Sequence, residues 1–312
     1  MNLMENTAKR VEATVSREES YAAATEEIRA AATRLLEEGT VVAVVGYRAG
    51  RRRGTALPCI ATSAEQAAEL IFSPHCHHNL ALYLSRKKKD VRGKGRLAVV
   101  VKGCDLRAVA GLITENQLQR EDVVLLGVAC AGVSGGRGKD ENSLADKCGR
   151  CKAQLPEGVD QLLGVLGEPV ALTVEEADQL ARLESMTPAE RWAFWTEQFA
   201  RCTRCFACRQ VCPLCYCEQC MCDRNRPQAV ESTPRPAGNM AWHIVRAMHL
   251  AGRCAGCAEC ERSCPMDIPL HLLNRKMAKE LKELFDHESG HAPVEKGPLN
   301  DYREDDDQSF IK

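Results

Sequence analysis

Two stretches of the chain repeat one arrangement of cysteines, in which three thiols follow at intervals of three residues and a fourth precedes a proline. They read Cys202-x2-Cys205-x2-Cys208-x3-Cys212-Pro213 and Cys254-x2-Cys257-x2-Cys260-x3-Cys264-Pro265. A doubled run with this spacing is typical of proteins that hold two 4Fe-4S clusters side by side. The residue types and their spacing therefore predict a protein that transfers electrons.

In such pairs, each run gives three thiolates to one cluster and its fourth thiolate to the other. The alternative is a zinc site or a set of redox-inert core cysteines, although zinc modules usually show paired C-x2-C arms with a long spacer. We expect two sets of ligands, the cluster 1 cysteines Cys202, Cys205, Cys208 and Cys264, and the cluster 2 cysteines Cys254, Cys257, Cys260 and Cys212.

Basic residues are concentrated at two places. Near the first cysteine run, guanidinium groups can offset the negative charge of iron and thiolates and so raise the reduction potential; the alternative is that they are solvated surface residues. A second basic run, at 86–96, is interpreted as a solvated loop or, alternatively, as a docking patch for a partner. The arginines near the first run are Arg201, Arg204, Arg209, Arg224 and Arg226.

The chain has 312 residues and 18 cysteines, enough length for a full core and for two domains. Residues 1–20 lack the apolar region of a secretory signal, and no apolar run approaches the length of a membrane span. Thiolates that bind iron need a reducing compartment, so we expect a cytoplasmic protein. The formal net charge of −1 gives no argument for nucleic-acid binding.

Apolar runs alternate with amphipathic segments in the first half of the chain. The pattern predicts helices over about 20–38, 64–71 and 105–116 and strands over 41–45, 97–102 and 123–128. Strands that are apolar throughout and alternate with helices indicate a parallel sheet covered on both faces. The predicted fold of residues 21–186 is therefore α/β with a parallel sheet, after a polar N-terminal segment at 1–20.

The second half reads as a mainly α, ferredoxin-like dicluster domain over 187–285 with an insertion between the cysteine runs. Thr187-Pro188-Ala189-Glu190 is a capping box with proline at the first helical position, so a helix should begin there. Further helices are expected from about Met240 to Leu250 and from Pro269 to about Leu284. Residues 286–312 are charged and poor in apolar residues, and are predicted to form an extended tail.

Four more cysteines would meet at one edge of the predicted sheet. Cys104 and Cys130 each follow a predicted strand, and the carboxyl ends of adjacent parallel strands open on the same crevice. Cys148 and Cys151 follow as a C-x2-C arm on a loop. We predict that these four, the cluster 3 cysteines, hold a third 4Fe-4S cluster. A zinc ion, or a C-x2-C arm beside two buried free thiols, is the alternative.

Six cysteines are left over. Cys76, in Cys76-His77-His78, is interpreted as structural or incidental, and Cys59 as a buried apolar residue. The other four follow Pro213 so densely that we interpret them as a candidate fourth metal site, either iron–sulfur or structural zinc; alternatively, one of them replaces Cys212 as a cluster ligand. They are Cys215, Cys217, Cys220 and Cys222.

Several segments of the first half together resemble a known family. They are Lys102-Gly103-Cys104-Asp105-Leu106-Arg107, Gly127-Val128-Ala129-Cys130, Cys148-x2-Cys151 and Gly158-Val159-Asp160. With these segments the chain resembles the beta-subunit family of coenzyme F420-dependent hydrogenases and dehydrogenases, in particular a bacterial branch encoded with formate dehydrogenases and heterodisulfide-reductase-like flavoproteins. The resemblance covers most of the chain, from about residue 21 to the acidic tail.

The resemblance implies an α/β domain that binds a 4Fe-4S cluster and usually FAD, and an attached ferredoxin module that connects it to a partner. The members that reduce the deazaflavin F420 have Gly-Thr-Pro-Cys where this chain has Lys102-Gly103-Cys104-Asp105, and they carry a Gly-Gly flavin loop near the N-terminus that is not found in this chain. These departures argue against F420 reduction. A G-x-G-x-x-G fingerprint after a strand is absent, and Gly132 to Lys139 fails the Walker pattern.

Flavin contacts, if FAD is bound, are expected from basic residues after the first strand and from Lys102. The segment from Tyr47 to Thr55 could hold a flavin pyrophosphate or be a solvated loop. The candidate flavin-binding residues are Arg48, Arg51, Arg52 and Lys102.

The sequence thus favours an iron–sulfur electron-transfer subunit of a cytoplasmic oxidoreductase complex. The resemblance gives its partners as a catalytic subunit of the formate dehydrogenase or hydrogenase type and a heterodisulfide-reductase-like flavoprotein. No arrangement of catalytic side chains stands out. The alternatives are a flavin-dependent reductase of a soluble coenzyme and a zinc-stabilised interaction module.

Overall fold

A computed structural model describes residues 15–85, 95–135, 143–167, 170, 179–290 and 297–298. The predictions for the charged tail, for the basic run at 86–96, for the polar segment at 1–20 and for Gly132 to Lys139 fall largely or partly outside the described residues. The division into domains at residue 187 stays a prediction.

A five-stranded sheet occupies the first half, with the strands in the order β2-β1-β3-β4-β5. Three neighbouring pairs are parallel, β1 with β3, β3 with β4 and β4 with β5, whereas β1 and β2 pair antiparallel. The fold is α/β as predicted, but the sheet is mixed and not parallel throughout. The strands are β1 Ala43–Ala49, β2 Ala56–Ala61, β3 Leu97–Val101, β4 Val123–Val128 and β5 Gln161–Leu163.

The sequence analysis did not predict β2, which follows β1 after a short turn. The backbone N–H of Gly50 donates to the carbonyl of Thr55 at 2.8 Å, which closes a hairpin. A turn this short joins only antiparallel strands, since a parallel connection needs a crossover. β2 is an edge strand with Leu57 and Ile60 exposed, and Pro58 is tolerated at such an edge.

The apolar runs at the centre of the sheet form β3 and β4, whose residues are all buried. Leu97 lies opposite Val123 and Val101 opposite Gly127, so the two strands end at the same level. Helix α1 covers one face through an apolar side that includes Ala24 and Ile28. The helices of this half are α1 Arg17–Glu37, α2 Ala64–Ala67 and α3 Gly103–Thr114. The predicted helix at 64–71 is therefore shorter than expected.

The second half is built from helices. The predicted capping box is present, because the Thr187 side chain accepts from the N–H of Glu190 and the Glu190 carboxylate accepts from the N–H of Thr187. The helices are α4 Gln179–Ser185, α5 Pro188–Ala200, α6 Ala207–Gln210, α7 Pro236–His249, α8 Glu259–Arg262 and α9 Leu270–Phe285. The predicted helices near 240–250 and after Pro269 are thus confirmed.

The helical half packs directly on the α/β half. Leu214, Leu250 and Ala255 are buried in the same hydrophobic core as the sheet. Of the helices in the described part of the chain, none combines the length and the apolar composition that a bilayer crossing requires.

Candidate metal centres

The two cysteine runs adopt the same backbone conformation at equivalent positions. Arg204 and Gly256, each two residues after the first cysteine of its run, have φ angles of 56° and 67°. Phe206 and Ala258, each four residues after it, have φ angles of 59° and 55°. Left-handed backbone is unfavourable for residues other than glycine, so its repetition marks a conformation that the surrounding structure imposes. A one-turn helix, α6 or α8, follows in both runs.

This backbone turns amide groups toward the cysteine sulfurs. The N–H of Arg204 lies 3.4 Å from Sγ of Cys202. In the second run, backbone hydrogen bonds from Gly256 and Glu259 to Cys254 and Cys257 favour the ionised thiol. Loops of this kind suit thiolates, because N–H groups pointing at sulfur stabilise negative charge.

The structure brings the cluster 1 cysteines together although one of them comes from the other run. Cys202, Cys205, Cys208 and Cys264 all line one small cavity. Burial raises the pKa of Cys208 to about 11, and the neighbouring Cys264 contributes to this shift. Four thiols held around one space, with no carboxylate among the lining residues, are the donor set that a 4Fe-4S cluster needs.

The cluster 2 cysteines are likewise neighbours. Burial raises the pKa of Cys254, Cys257 and Cys260, and Cys212 lies close enough to raise each of them further. A raised pKa disfavours the free thiolate, so ionisation of these thiols is favoured when a cation such as iron replaces their protons. The proximity agrees with the crossing that the spacing predicts, while cluster binding stays a prediction.

Side chains from two helices approach the sulfurs of these two sets. Nε2 of His243, on α7, lies 3.3 Å from Sγ of Cys202. Nδ2 of Asn274, on α9, lies 3.7 Å from Sγ of Cys260. Burial lowers the pKa of His243 to about 3, so its imidazole is neutral at physiological pH. Hydrogen bonds to sulfur help to set the reduction potential of a bound cluster.

The cluster 3 cysteines line a larger cavity of about 590 Å³ at the carboxyl ends of β3 and β4. Cys104 lies in the first turn of α3, where the positive end of the helix dipole favours a thiolate. Burial raises the pKa of Cys130 to about 12, and Cys148 and Cys151 contribute to the shift. The strand-end and loop thiols thus meet as the sheet topology predicts.

Two lysines lie near the cluster 3 cysteines, Lys102, which is buried, and Lys147, which is mostly buried. Nζ of Lys102 lies 2.7 Å from Oδ2 of Asp105, and both side chains are almost fully buried. Nζ of Lys147 donates to the carbonyl of Cys257 at 3.0 Å and lies 4.0 Å from Oε1 of Glu259. Lys147 also interacts with the charge of Cys104. The Lys147 cation therefore interacts with both a cluster 3 cysteine and a cluster 2 cysteine.

The sequence analysis did not identify Lys147. It also did not identify Arg246, which interacts with cysteines of clusters 1 and 2. Most of the arginines that were expected to lie near cluster 1 are not buried beside its cysteines. Arg201, Arg224 and Arg226 are exposed, and Arg209 forms an ion pair with Asp223. Of the five, Arg204 is the buried one, and it lies 5.6 Å from the ring centre of Trp242. The helical spacing of His243 and Arg246, which places both residues on one face of α7, is the sequence signal that could have identified Arg246.

The four cysteines that follow Pro213 do not come together at one site. Cys215 forms a side-chain hydrogen bond with Cys212, and Cys220 forms one with Cys222. Cys217 is exposed. The contact of Cys215 with Cys212 keeps open the alternative that Cys215 serves as a cluster 2 ligand. Cys76 is fully buried beside Ser73, and Cys59 is partly buried on β2.

Within the described ranges, no group of three or more His, Cys, Asp or Glu side chains is close enough to hold a single metal ion. This finding concerns mononuclear sites. In a 4Fe-4S cluster each thiolate binds a different iron, so the sulfurs are spaced more widely than the ligands of one ion.

The candidate flavin residues do not converge. Arg48, Arg51 and Arg52 are exposed on the β1–β2 hairpin, and none of them lines the cavity to which Lys102 contributes. The Lys102 ammonium is already engaged by Asp105 and by the hydroxyl of Tyr47. The four residues therefore do not fit FAD as one binding site.

Gly103 allows the start of α3, which carries Cys104, to lie close to the loop that carries Cys151. A Cβ atom added at Gly103 would lie 2.0 Å from the carbonyl oxygen of Ala153, two residues after Cys151. Gly103→Ala must therefore separate the start of α3 from the loop that carries Cys151. We expect it to lower the free energy of unfolding by about 1–3 kcal/mol, as measured by denaturant titration, and to reduce the iron content by about four atoms per chain.

Gly111→Ala is a matched control in the same helix, because the added methyl group would meet the flexible end of Leu214 at 3.1 Å. Its iron content should equal that of the unsubstituted protein. Full iron content in Gly103→Ala would contradict the role assigned to this contact.

No family model matches the chain. Two curated proteins are similar to most of it. The F420-dependent formate dehydrogenase subunit beta of Methanocaldococcus jannaschii is 21% identical, covering 82% of this chain and 89% of the relative. The F420-dependent formate dehydrogenase 1 subunit beta of Methanococcus maripaludis is 24% identical, covering 79% of this chain and 87% of the relative.

A solved structure of the F420-reducing NiFe hydrogenase complex from Methanosarcina barkeri matches with a TM-score of 0.31 and 17% identity, over 40% of this chain and 47% of that chain, which is too weak to carry an argument. The two curated relatives, each aligned with about four fifths of this sequence, confirm its resemblance to the beta subunits of F420-dependent dehydrogenases.

Proposed function

We propose that the chain is an iron–sulfur electron-transfer subunit of an oxidoreductase complex, with three 4Fe-4S clusters that connect its two halves. The observation that carries the proposal is the continuity of the three cysteine sets. Cys254, a cluster 2 cysteine, lines the same cavity as the cluster 3 cysteines. The cluster 1 and cluster 2 cysteines are linked in turn by the crossing of the two runs.

The contact between the halves supports a path for electrons. Lys147 belongs to the loop of the cluster 3 cysteines and donates to the backbone of Cys257. Arg253, beside Cys254, forms an ion pair of 3.0 Å with Glu115 at the end of α3. These contacts fix the second cysteine run against the α/β half, so that clusters bound at both places would keep a constant separation.

The partners are inferred from two sources. The names of the curated relatives support a catalytic subunit of the formate dehydrogenase type. A heterodisulfide-reductase-like flavoprotein as the second partner rests on the sequence resemblance. In this arrangement the clusters, when bound, would supply one-electron transfer, and the protein supplies the thiols, amide groups directed at sulfur and nearby cations.

Anaerobic purification followed by metal and sulfide analysis tests the proposal. We expect about 12 iron atoms and about 12 sulfides per chain, four of each for every cluster. Formate should reduce the clusters only when the catalytic subunit is added, as followed by low-temperature electron paramagnetic resonance. Zinc without iron and sulfide would support an interaction module instead, and formate oxidation by the isolated chain would refute a role limited to electron transfer.

A second candidate function is the reduction of a soluble coenzyme such as F420 by this chain. The names of the relatives and the cavity of about 590 Å³, a size typical of small-molecule sites, favour it. The exposed positions of Arg48, Arg51 and Arg52 weigh against it. Acid release of flavin from the purified protein, together with F420 reduction by the isolated chain, would support this function, and absence of both would leave electron transfer alone.

A further inference from the structure

A buried arginine interacts with cysteines of both cluster 1 and cluster 2. Arg246 is 8% exposed and projects from α7, the helix that also carries His243. Its Nη2 donates to the carbonyl of Cys208 at 3.2 Å. Arg246 also interacts with the charges of Cys212 and Cys260, both of which are cluster 2 cysteines.

Among the described residues, no carboxylate forms an ion pair with Arg246, and its strongest charge interactions are with thiols. Its Nε is buried without a hydrogen-bond partner in the described part of the chain. An unpaired cation in a protein interior is strongly unfavourable unless anions lie close by. The thiolates and the clusters that they would bind are anions of this kind, and thiols of both sets interact with the guanidinium.

Other groups near the sulfurs serve one set each. His243 approaches Cys202, and Asn274 approaches Cys260. Asn239, one turn before His243 on α7, donates to the carbonyl of Cys202 at 2.8 Å. Arg246 alone among these residues contacts the backbone of a cluster 1 cysteine and interacts with the cluster 2 thiols. Its position is therefore suited to act on both clusters together.

We propose that Arg246 acts on clusters 1 and 2 together. Its buried charge stabilises the reduced form of each cluster and so raises both reduction potentials. Reduction adds one negative charge to a cluster, and a nearby cation favours the more negative form. The inference rests on the proposed function, because it requires both clusters to be present.

Redox titration of the full anaerobic protein, followed by electron paramagnetic resonance, tests this role. R246Q removes the charge and keeps a hydrogen-bond donor. We expect the ratio of reduced to oxidised cluster at a fixed potential to fall at least tenfold for both clusters, which corresponds to about 59 mV for a one-electron couple. R246K keeps the charge and should shift both potentials by much less than R246Q.

R224Q is the matched control, because it removes the same charge at an exposed position of the same module. Its potentials should stay unchanged, since solvent screens exposed charges. Intact clusters in R246Q with unshifted potentials, or a shift of one cluster alone, would overturn the shared role.

Iron content separates the remaining outcomes. Loss of iron in R246Q but not in R246K would also support the proposal, because the charge would then be needed for the clusters to assemble. Loss of iron in both variants would assign the role to guanidinium packing and overturn it. Absence of iron and sulfide from the unsubstituted protein would instead refute the proposed function itself.

Discussion

Cys264→Ala is expected to remove cluster 1 and to leave cluster 2, even though Cys264 belongs to the second cysteine run. The structure places Cys264 in the cavity lined by Cys202, Cys205 and Cys208. A cubane that loses one of its four thiolates is held poorly, so we expect about four iron atoms fewer per chain. Iron analysis and the paramagnetic signals of the remaining clusters measure the result.

The reciprocal substitution, Cys212→Ala, should affect cluster 2. Cys215 forms a side-chain hydrogen bond with Cys212 and lies next to the vacated position. If Cys215 can replace the missing ligand, Cys212→Ala keeps part of its iron and the double variant with Cys215→Ala loses about four iron atoms. Cys217→Ala is the control, because this thiol is exposed. Loss of cluster 2 signals in Cys264→Ala would contradict the crossing.

Asp105→Ala is expected to lower the free energy of unfolding by about 3–5 kcal/mol, the usual cost of leaving one partner of a buried ion pair alone. Lys102 and Asp105 are 2% and 0% exposed, and their charged groups lie 2.7 Å apart. Without the carboxylate, the Lys102 ammonium would remain buried beside the neutral hydroxyl of Tyr47 and the carbonyl of His78. Denaturant titration under anaerobic conditions measures the loss.

Glu121→Ala removes an acidic side chain at an exposed position of the same half and should change the free energy of unfolding by less than about 0.5 kcal/mol. Combining Asp105→Ala with Lys102→Met removes both charges, and should recover part of the stability because no unpaired ion is left. A cost for Asp105→Ala as small as that of the control would show that the pair is not needed for folding.

The contribution of the Lys102–Asp105 pair to stability depends on pH through the pKa of Lys102. Burial lowers the pKa of Lys102, but Asp105 and Cys104 raise it more, so the pKa lies above its ordinary value. A raised lysine pKa contributes stability that is fully present below the unfolded value of about 10.4. The contribution is lost only as the pH rises through the folded pKa, so the effect of Asp105→Ala should be constant across the neutral range.

Elements in both halves could be predicted from the sequence where local signals were strong. β4 has the predicted bounds of 123–128, and α5 begins at the predicted capping box. Apolar runs and caps act within a few residues, so they can be recognised without the fold. β2 and β5 were missed because an edge strand with mixed exposure and a strand of three residues carry too little pattern.

The sequence alone determined the types and the spacing of the thiols, and with them the prediction of iron–sulfur chemistry, since this spacing indicates which thiols one loop can present together and which one comes from the other run. The tertiary structure decided what surrounds those thiols. Arg246 and Lys147 are ordinary basic residues in the sequence, and the flavin candidates Arg48, Arg51 and Arg52 are exposed only because β1 and β2 form a hairpin. Burial and charge balance depend on contacts between residues far apart in the chain, and those contacts exist only after folding.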